Sequence, residues 1–265
     1  MKGKKMGRVI AIASGKGGTG KTFITANLGI ALAQRKFKVC LIDADIAMAN
    51  LSLVLGLQSS PITLHDVLLG EATIQDAIYD GPGGVKFVPS GLSLENYRRV
   101  DSDRLESVVD SIASQFDYVL LDAPAGIEKT VLASLRASEE VLIVATPDPP
   151  SIADALKTKI VTQRLNRKPI GLILNFLRGE RGEIQDVDVM KMMELPIYGM
   201  VPYDAEARRS FLQEKAVPLM LRVPNSPASL AIQKTAAKLS GTPIEFRSER
   251  KGFLSGLFSI FGRKQ

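Results

Sequence analysis

The chain alternates short apolar runs with longer segments whose apolar residues recur at helical spacing. Seven runs are apolar almost throughout, which is typical of strands covered on both faces. They are RVIAIAS, KVCLIDA, VKFVPS, DYVLLDA, EEVLIVAT, PIGLILN and IYGMVP. The helices predicted between them include Lys21 to Arg35, Asp103 to Gln115, Ile152 to Leu165, Ala205 to Glu214 and Pro227 to Leu239. This order predicts an α/β fold: a doubly wound, mostly parallel sheet with helices on both faces and ligands beyond the carboxyl ends of the strands.

A glycine-rich loop joins the first predicted strand to the first predicted helix. The sequence SGKGGTGKT places Gly15 and Gly20 at the P-loop spacing, followed directly by Lys21 and Thr22. The setting, after a strand and before a helix, is the one that the P-loop motif requires. Glycines let backbone N–H groups turn onto phosphate oxygens, and the helix N-terminus adds partial positive charge. Lys21 is therefore predicted to contact the β- and γ-phosphates, and the Thr22 hydroxyl to bind Mg²⁺.

Three aspartates follow predicted strands at the same edge of the sheet. Asp122 ends the run DYVLLD and is predicted to reach Mg²⁺, usually through a water. Asp43 and Asp45 are two residues apart in LIDADIAMAN, so both face the crevice only if the chain leaves strand geometry after Asp43. One of the two carboxylates would then hold a water molecule that is bound to Mg²⁺, while the other orients the water that attacks the γ-phosphate.

The net charge of +6 comes from the two ends of the chain. Residues 1–8 carry a charge of +4 and residues 245–265 carry +3, which leaves the body at −1. Basic ends on a nearly neutral body indicate tails that meet an anionic surface, either DNA or lipid. No apolar stretch approaches the roughly 20 residues of a membrane-spanning helix, and the N-terminus does not read as a secretory signal. We expect a cytoplasmic protein.

The C-terminal segment favours lipid as that surface. On a helical wheel, six large apolar residues cover an arc of roughly 160°, and serines and glycines fill the other side. With the basic flanks, this is the pattern of an interfacial helix, although a helix docked on the protein's own core is the alternative. The membrane contacts would be Lys251, Phe253, Leu254, Leu257, Phe258, Ile260 and Phe261. We expect a P-loop domain over residues 1–241, a basic linker over 242–251 and a membrane-targeting tail over 252–265.

Cysteine and histidine occur once each, which excludes several kinds of chemistry. Cys40 lies in a predicted buried strand, so it offers neither a disulfide nor the cysteine cluster of an iron–sulfur carrier. His65 lacks recognisable partners for a metal site or a Ser-His-Asp relay, and we expect it on a surface or helix face. The charged segment RGERGEIQD at 178–186 is predicted to be a loop.

These motifs together resemble the deviant Walker A ATPases of the MinD/ParA family, most closely the MinD type. The resemblance rests on KGGTGKT with its additional Lys16, on DADIAMANLSLVLG, LLDAPAGIE and GLILN, and it extends from Val9 to the tail. It implies a slow ATPase that acts as a homodimer, with two ATP molecules between the subunits and Lys16 reaching the partner's phosphates. Such a cation stabilises the charge that develops during phosphoryl transfer, as an arginine finger does.

The resemblance also implies roles for individual positions. Asp45 matches the water-positioning carboxylate and Asp43 a residue near magnesium, while Asn175 and Pro202 match contacts on the adenine side. For Asn175, a strand-end cap is the alternative. The implied nucleotide-binding set is Gly15, Lys16, Gly17, Gly18, Thr19, Gly20, Lys21, Thr22, Phe23, Asn175 and Pro202. The implied catalytic residues are Lys16, Lys21 and Asp45, and the implied Mg²⁺ site is Thr22, Asp43 and Asp122.

Several positions depart from the family pattern. Phe23 replaces the usual second threonine after the P-loop lysine, and Asp148 and Pro150 stand where glutamate and serine are common. Phe176 follows Asn175 where arginine is common, and Tyr203 replaces a common glutamate. These changes bear on packing near the α-phosphate, base stacking and partner choice more than on ATP binding itself.

The resemblance predicts a switch in which ATP drives pairing and reversible membrane association, and hydrolysis resets the protein. Such a switch, working with an unidentified partner protein, would position a cell-division or polar machine. A ParA-like DNA-partitioning ATPase is one alternative, but it would favour basic residues on the body, so the sequence argues against nucleic acid. A flagellum-number regulator is another, and it shares the site and the tail, although the N-terminal extension typical of that group is not recognised here. The arsenite-pump ATPases join two such ATPase domains in one chain, and the single P-loop of this sequence argues against that class.

Overall fold

The structure is a computed structural model, and it describes residues 7–57, 60–91, 100–211 and 216–243. Its eight strands are β1 Arg8–Ser14, β2 Val39–Asp43, β3 Tyr79–Asp80, β4 Lys86–Val88, β5 Tyr118–Ala125, β6 Glu140–Ala145, β7 Lys168–Leu177 and β8 Ile197–Pro202. They form one sheet in the order β3-β4-β2-β5-β1-β6-β7-β8. All neighbouring strands are parallel except β3 and β4. The predicted fold class is therefore confirmed.

The described residues include ten α-helices and three short 3₁₀ turns. The helices are α1 Lys21–Gln34, α2 Leu51–Val54, α3 Leu64–Leu69, α4 Leu105–Ala113, α5 Lys129–Arg136, α6 Pro149–Arg164, α7 Asp186–Met193, α8 Ala205–Phe211, α9 Leu219–Arg222 and α10 Pro227–Ser240. The 3₁₀ turns are Ile74–Ala77, Pro82–Gly84 and Ser102–Arg104. Among these helices, none combines the length and the apolar character that crossing a bilayer requires.

Side chains of the central strand alternate between two apolar layers. Val9 and Ala11 of β1 pack with α3 to α7 on one face of the sheet. Ile10 and Ile12 pack with α1, α2, α9 and α10 on the other face. A strand buried on both faces has no polar side, which is why these strands read as continuous apolar runs in the sequence.

The topology brings the predicted site residues to one edge of the sheet. β1 lies at the centre between β5 and β6, and the chain proceeds from it to β2 on one side and later to β7 and β8 on the other. In open sheets of this kind, ligands bind beyond the carboxyl ends of the strands, where the direction of winding changes. The loop after β1 occupies this position.

Several element boundaries differ from the predicted ones. Helix α6 begins at Pro149 instead of Ile152, because the Asp148 carboxylate accepts a hydrogen bond of 3.0 Å from the N–H of Ser151 and caps the helix. Proline is also well suited to a first helical turn. The predicted helix from Ala205 is described as far as Phe211, and the predicted amphipathic tail lies outside the described residues.

The one cysteine and the one histidine of the sequence are both buried. Cys40 lies within β2 as predicted, and burial raises the pKa of its thiol to about 12. His65 lies on α3, but the expected surface position is wrong because only 1% of the residue is exposed. Its Nδ1 accepts a hydrogen bond of 2.6 Å from the N–H of Gly91, which offsets part of the cost of burying the ring.

Candidate nucleotide-binding site

The loop between β1 and α1 has the features of an anion cradle. Gly18 and Gly20 have φ values of 79° and 88°, in the left-handed region that favours glycine. Gly20 is the N-cap of α1, and no side chain caps this helix. The first N–H groups of a helix have no partner within it, so an uncapped N-terminus binds phosphate well. A Cβ at Gly17 or Gly18 would meet only open space, which leaves that side of the loop free for a ligand.

Two other P-loop residues have surroundings that the sequence did not reveal. A Cβ at Gly15 would lie 2.3 Å from the backbone oxygen of Asp154 on α6, so this glycine permits close packing against that helix. The Thr19 hydroxyl is buried, and no atom of the described residues forms a hydrogen bond with it. Unpartnered buried polar atoms are rare in folded proteins, and they fit a site that a bound ligand completes.

Lys21 and Asp122 lie near each other below the P-loop, close enough for the charge of Asp122 to act on Lys21. The Thr25 hydroxyl donates a hydrogen bond of 2.9 Å to Oδ1 of Asp122, and the Thr22 hydroxyl lies near enough to lower the pKa of this carboxyl group. Burial lowers the pKa of Lys21, and the charges of Asp122 and Asp45 oppose this effect. The donor set, two hydroxyls and a carboxylate beside a lysine, suits Mg²⁺ together with phosphate. Sequence analysis missed Thr25, although its position one helical turn after Lys21 was a usable signal.

The two aspartates after β2 have different surroundings. The strand ends at Asp43, so the chain leaves strand geometry where the sequence required it. Both carboxylate oxygens of Asp43 accept backbone hydrogen bonds, 3.2 Å from the N–H of Asp45 and 3.0 Å from that of Leu51. Asp43 therefore ties together the two ends of the intervening loop. Oδ1 of Asp45 accepts a hydrogen bond of 2.9 Å from the N–H of Met48, which holds its carboxylate on this loop.

Lys16 is placed quite differently from Lys21. Half of its side chain is exposed, and its Nζ lies 4.0 Å from Oδ1 of Asp148 in the same chain. The Ser14 hydroxyl donates a hydrogen bond of 2.7 Å to the Lys16 carbonyl, which fixes the backbone here but not the long side chain. An ion pair this long and this exposed contributes little free energy, so the ammonium group can leave it at small cost.

On the predicted adenine side, the residues come together at the ends of β7 and β8. Asn175 is buried, and its Nδ2 donates a hydrogen bond of 2.8 Å to the Thr19 carbonyl of the P-loop. Pro202 is half-buried and pairs with Leu177 across the ladder. The side chain of Phe23 is buried in the apolar layer around α1, so any contact of this residue with the nucleotide would come from its backbone.

A separate groove of about 650 Å³ lies between α7, β8 and α10. It includes Met190, Tyr198 and Leu230 in its lining, and Pro202 is its one lining residue from the predicted nucleotide set. We assign the candidate site to the P-loop edge, because that is where the helix N-terminus, the buried carboxylates and the two lysines meet.

The buried carboxylate Asp122 makes the stability of the free protein depend on pH. Burial raises its pKa from 3.8 to about 6, while hydrogen bonds from Thr22 and Thr25 partly oppose this shift. The unfolded chain therefore releases this proton at lower pH than the folded chain, and the fold loses stability as pH rises between the two values. Asparagine carries no such charge but keeps an oxygen that can accept from Thr25.

We expect the Asp122→Asn variant to be more stable than the wild-type chain at neutral pH when Mg²⁺ and nucleotide are absent. The shift corresponds to at most about 3 kcal/mol near pH 7, and the difference should vanish below about pH 4. Urea unfolding of both proteins in EDTA across this range measures it. A stability difference that does not change with pH would contradict the assignment.

The comparisons with known proteins agree with this geometry. A profile of the CobQ/CobB/MinD/ParA nucleotide binding domain matches residues 10–217. An uncharacterized ATP-binding protein of Methanocaldococcus jannaschii is 43% identical over 98% of each chain. The cell division ATPase MinD of Pyrococcus furiosus has a TM-score of 0.86 at 37% identity, covering 89% of this chain and 99% of that one. The septum site-determining protein MinD of Pyrococcus horikoshii, solved with Mg-ADP, has a TM-score of 0.85 at 35% identity, covering 88% and 96%.

This chain therefore belongs to the MinD/ParA family of nucleotide-binding proteins. Its similarity to the two Pyrococcus proteins extends over nearly the whole of each of those chains.

Proposed function

We propose that this chain is a MinD-like ATPase that pairs when it binds ATP, associates with membrane as a pair, and separates after slow hydrolysis. Such a cycle would position a cell-division or polar machine through a partner protein. The observation that carries the proposal is a P-loop with a second lysine, Lys16, that is exposed at the mouth of the site. A P-loop needs only Lys21 for its own phosphates, so Lys16 is available to another molecule.

ATP binding within one chain would use the P-loop and the residues below it. The uncapped N-terminus of α1 and the open side of Gly17 and Gly18 receive the phosphates. Thr22 and Asp122 would hold Mg²⁺, with Asp43 beside Asp122 across the ladder between β2 and β5. When bound, the metal ion neutralises the charge that develops between the β- and γ-phosphates.

Asp45 would orient the water that attacks the γ-phosphate. Its carboxylate is held on the loop after β2 by the hydrogen bond to Met48, and the loop itself is held by Asp43. A carboxylate placed in this way accepts a hydrogen bond from water and directs a lone pair at phosphorus. Asp43 would then act as a positioning residue as well as part of the metal site.

Pairing would cover the exposed surface around Lys16. Two apolar side chains flank this edge of the sheet: Met48 after Asp45, and Ile127 after Asp122, with 71% and 54% of their surface exposed. Large apolar residues that are exposed next to a site indicate an interaction surface. A second copy facing this surface would bury them and place its own Lys16 near the phosphates of the first.

Membrane association would come from the tail, and pairing would control it. A single short helix with basic flanks binds lipid weakly, since each basic residue contributes about 1 kcal/mol near an anionic surface. Two tails on one pair bind with an avidity that can exceed that of one tail by about 10² to 10⁴. ATP would therefore control how long the protein stays on the membrane.

Sedimentation with anionic vesicles tests this proposal. We expect the full chain to pellet at least about tenfold more strongly with ATP than with ADP, because only ATP supports pairing. Phe258→Glu should abolish pelleting, whereas Ser259→Glu, the same charge change on the polar side of the predicted helix, should largely retain it. Equal pelleting with ATP and ADP would contradict the proposal, and equal effects of the two variants would contradict the amphipathic tail.

A further inference from the structure

His65 is a buried side chain outside the set of residues assigned to ATP binding and hydrolysis. It is the second residue of α3, and this end of the helix is firmly fixed. Oδ2 of Asp66 accepts hydrogen bonds of 2.7 Å from both the N–H and the hydroxyl of Thr63, which caps the helix. The Leu64 N–H donates a hydrogen bond of 2.7 Å to the carbonyl of Pro89, just after β4. The ring therefore stands on a rigid support.

The two ring nitrogens of His65 have different surroundings. Nδ1 accepts the hydrogen bond of 2.6 Å from the Gly91 N–H, and a Cβ at Gly91 would lie only 2.5 Å from this nitrogen. Burial lowers the pKa of His65 and the charge of Asp66 opposes this effect, so the ring is neutral near pH 7. A neutral ring whose Nδ1 accepts a hydrogen bond carries its proton on Nε2. Nε2 is buried, and no atom of the described residues forms a hydrogen bond with it.

The loop that carries Asp45 lies against this ring. Ile46, directly after Asp45, is only 3% exposed and belongs to the same apolar layer as Leu64 and Val67 of α3. The backbone carbonyl of Ile46 lies near enough to the His65 ring to raise its pKa. A buried donor without a partner and a backbone acceptor of the Asp45 loop are therefore neighbours. Buried donors without partners are rare, so this one requires an explanation.

We propose that His65 is a positioning residue for ATP hydrolysis, and that its Nε2–H donates a hydrogen bond to the Ile46 carbonyl when ATP is bound. This inference rests on the proposed function, because His65 would act through Asp45. Hydrogen bonds of active sites are often long before the substrate binds and shorten in the complex. The Asp43 carboxylate already holds the N–H groups of Asp45 and Leu51. The bond from His65 would fix the next peptide, so that the Asp45 carboxylate stays directed at the attacking water.

Two substitutions of His65 separate the roles of its two ring nitrogens. The amide of glutamine reaches the position of Nε2 and can donate to Ile46, whereas the shorter amide of asparagine reaches the position of Nδ1 and can accept from Gly91. We expect His65→Asn to lower ATP turnover by about 10-fold to 100-fold, because an error of about 1 Å in placing a catalytic group has an effect of this size. His65→Gln should keep most of the turnover. Both variants should bind Mg-ADP like the wild-type chain, because Asp45 is not assigned to the phosphates or the metal.

Phosphate release, calorimetric titration with Mg-ADP and urea unfolding measure turnover, affinity and stability. Both substitutions remove a buried ring, so both should lower the free energy of unfolding. A merely structural role of His65 would lower turnover in both variants alike. Equal turnover in the two variants would therefore overturn the inference. Loss of turnover in a folded His65→Gln variant would also overturn it, whether or not His65→Asn folds.

A double-mutant cycle with Asp45→Asn tests whether His65 acts through Asp45. Once the Asp45 carboxylate is lost, His65→Asn should lower turnover further by no more than about twofold, because the group that it positions is absent. A further loss as large as that in the wild-type background would overturn the inference. A wild-type chain that does not hydrolyse ATP would instead overturn the proposed function.

Discussion

Replacing Lys16 with alanine is expected to abolish ATP-dependent pairing and to lower ATP turnover by about 10³-fold or more. A cation that reaches a phosphoryl group from another subunit contributes about 10³ to 10⁵ to the rate of phosphoryl transfer. The fold should be unaffected, because the only ion pair that Lys16 forms among the described residues is a 4.0 Å contact with Asp148 that is half exposed. Size-exclusion chromatography with Mg-ATP and a phosphate-release assay measure the two effects.

Lys157 provides the matched control for this prediction. It is also an exposed lysine whose partner is a carboxylate, with its Nζ 2.9 Å from Oδ1 of Asp154 on α6. Lys157→Ala removes the same charge at little cost in stability, and it should pair and hydrolyse ATP like the wild-type chain. Normal turnover and pairing in Lys16→Ala would remove the basis for a cation supplied in trans.

The second large effect is expected for Asp45→Asn, which should trap the ATP-bound pair. Loss of a group that positions or activates the attacking water lowers turnover by about 10²-fold to 10⁴-fold. Binding of Mg-ATP should remain, since Asp45 is not assigned to the phosphates or the metal. Asparagine is chosen because its Oδ1 can still accept the hydrogen bond from the Met48 N–H that holds this loop.

Asp110→Asn serves as the control, because Asp110 is exposed on α4, outside the proposed site. It should pair with ATP and then separate as the nucleotide is hydrolysed. The Asp45→Asn variant, in contrast, should elute as a stable pair for as long as ATP is present. Wild-type turnover in Asp45→Asn would show that another group positions the water.

The sequence was sufficient for most of the sheet because its strands are buried on both faces. Such strands have no polar side, so a continuous apolar run identifies them, and all seven predicted runs are strands. The strand β3 has two residues, Tyr79 and Asp80, which is too short for any periodicity to be detected. The burial of His65 could not be predicted from the sequence either, because it depends on the tertiary position of α3 and on a backbone N–H 26 residues away.

Within the candidate site, the motif residues could be predicted from the sequence. The hydrogen bonds that hold them in place could not. Gly20, Lys21 and Asp122 follow from patterns that are local in the sequence. The hydrogen bonds of Asp43 to Leu51 and of Asn175 to Thr19 join residues that only the fold brings together. The burial of the Phe23 side chain was not predictable either, because its position next to Thr22 in the sequence does not reveal that it turns into the core.

The central claim is that Lys16 acts on the ATP of a partner, and mixing two inactive variants tests it most directly. In a pair of Lys16→Ala and Asp45→Asn chains, one site combines the intact Asp45 of the first with the intact Lys16 of the second. If Lys16 acts in trans, a mixed pair keeps one Lys16–phosphate contact and one complete site, so the mixture should pair and regain turnover, up to about half of the wild-type rate if every chain is in a mixed pair. If the mixture hydrolyses ATP no faster than the sum of the two separate variants, Lys16 does not act across the pair.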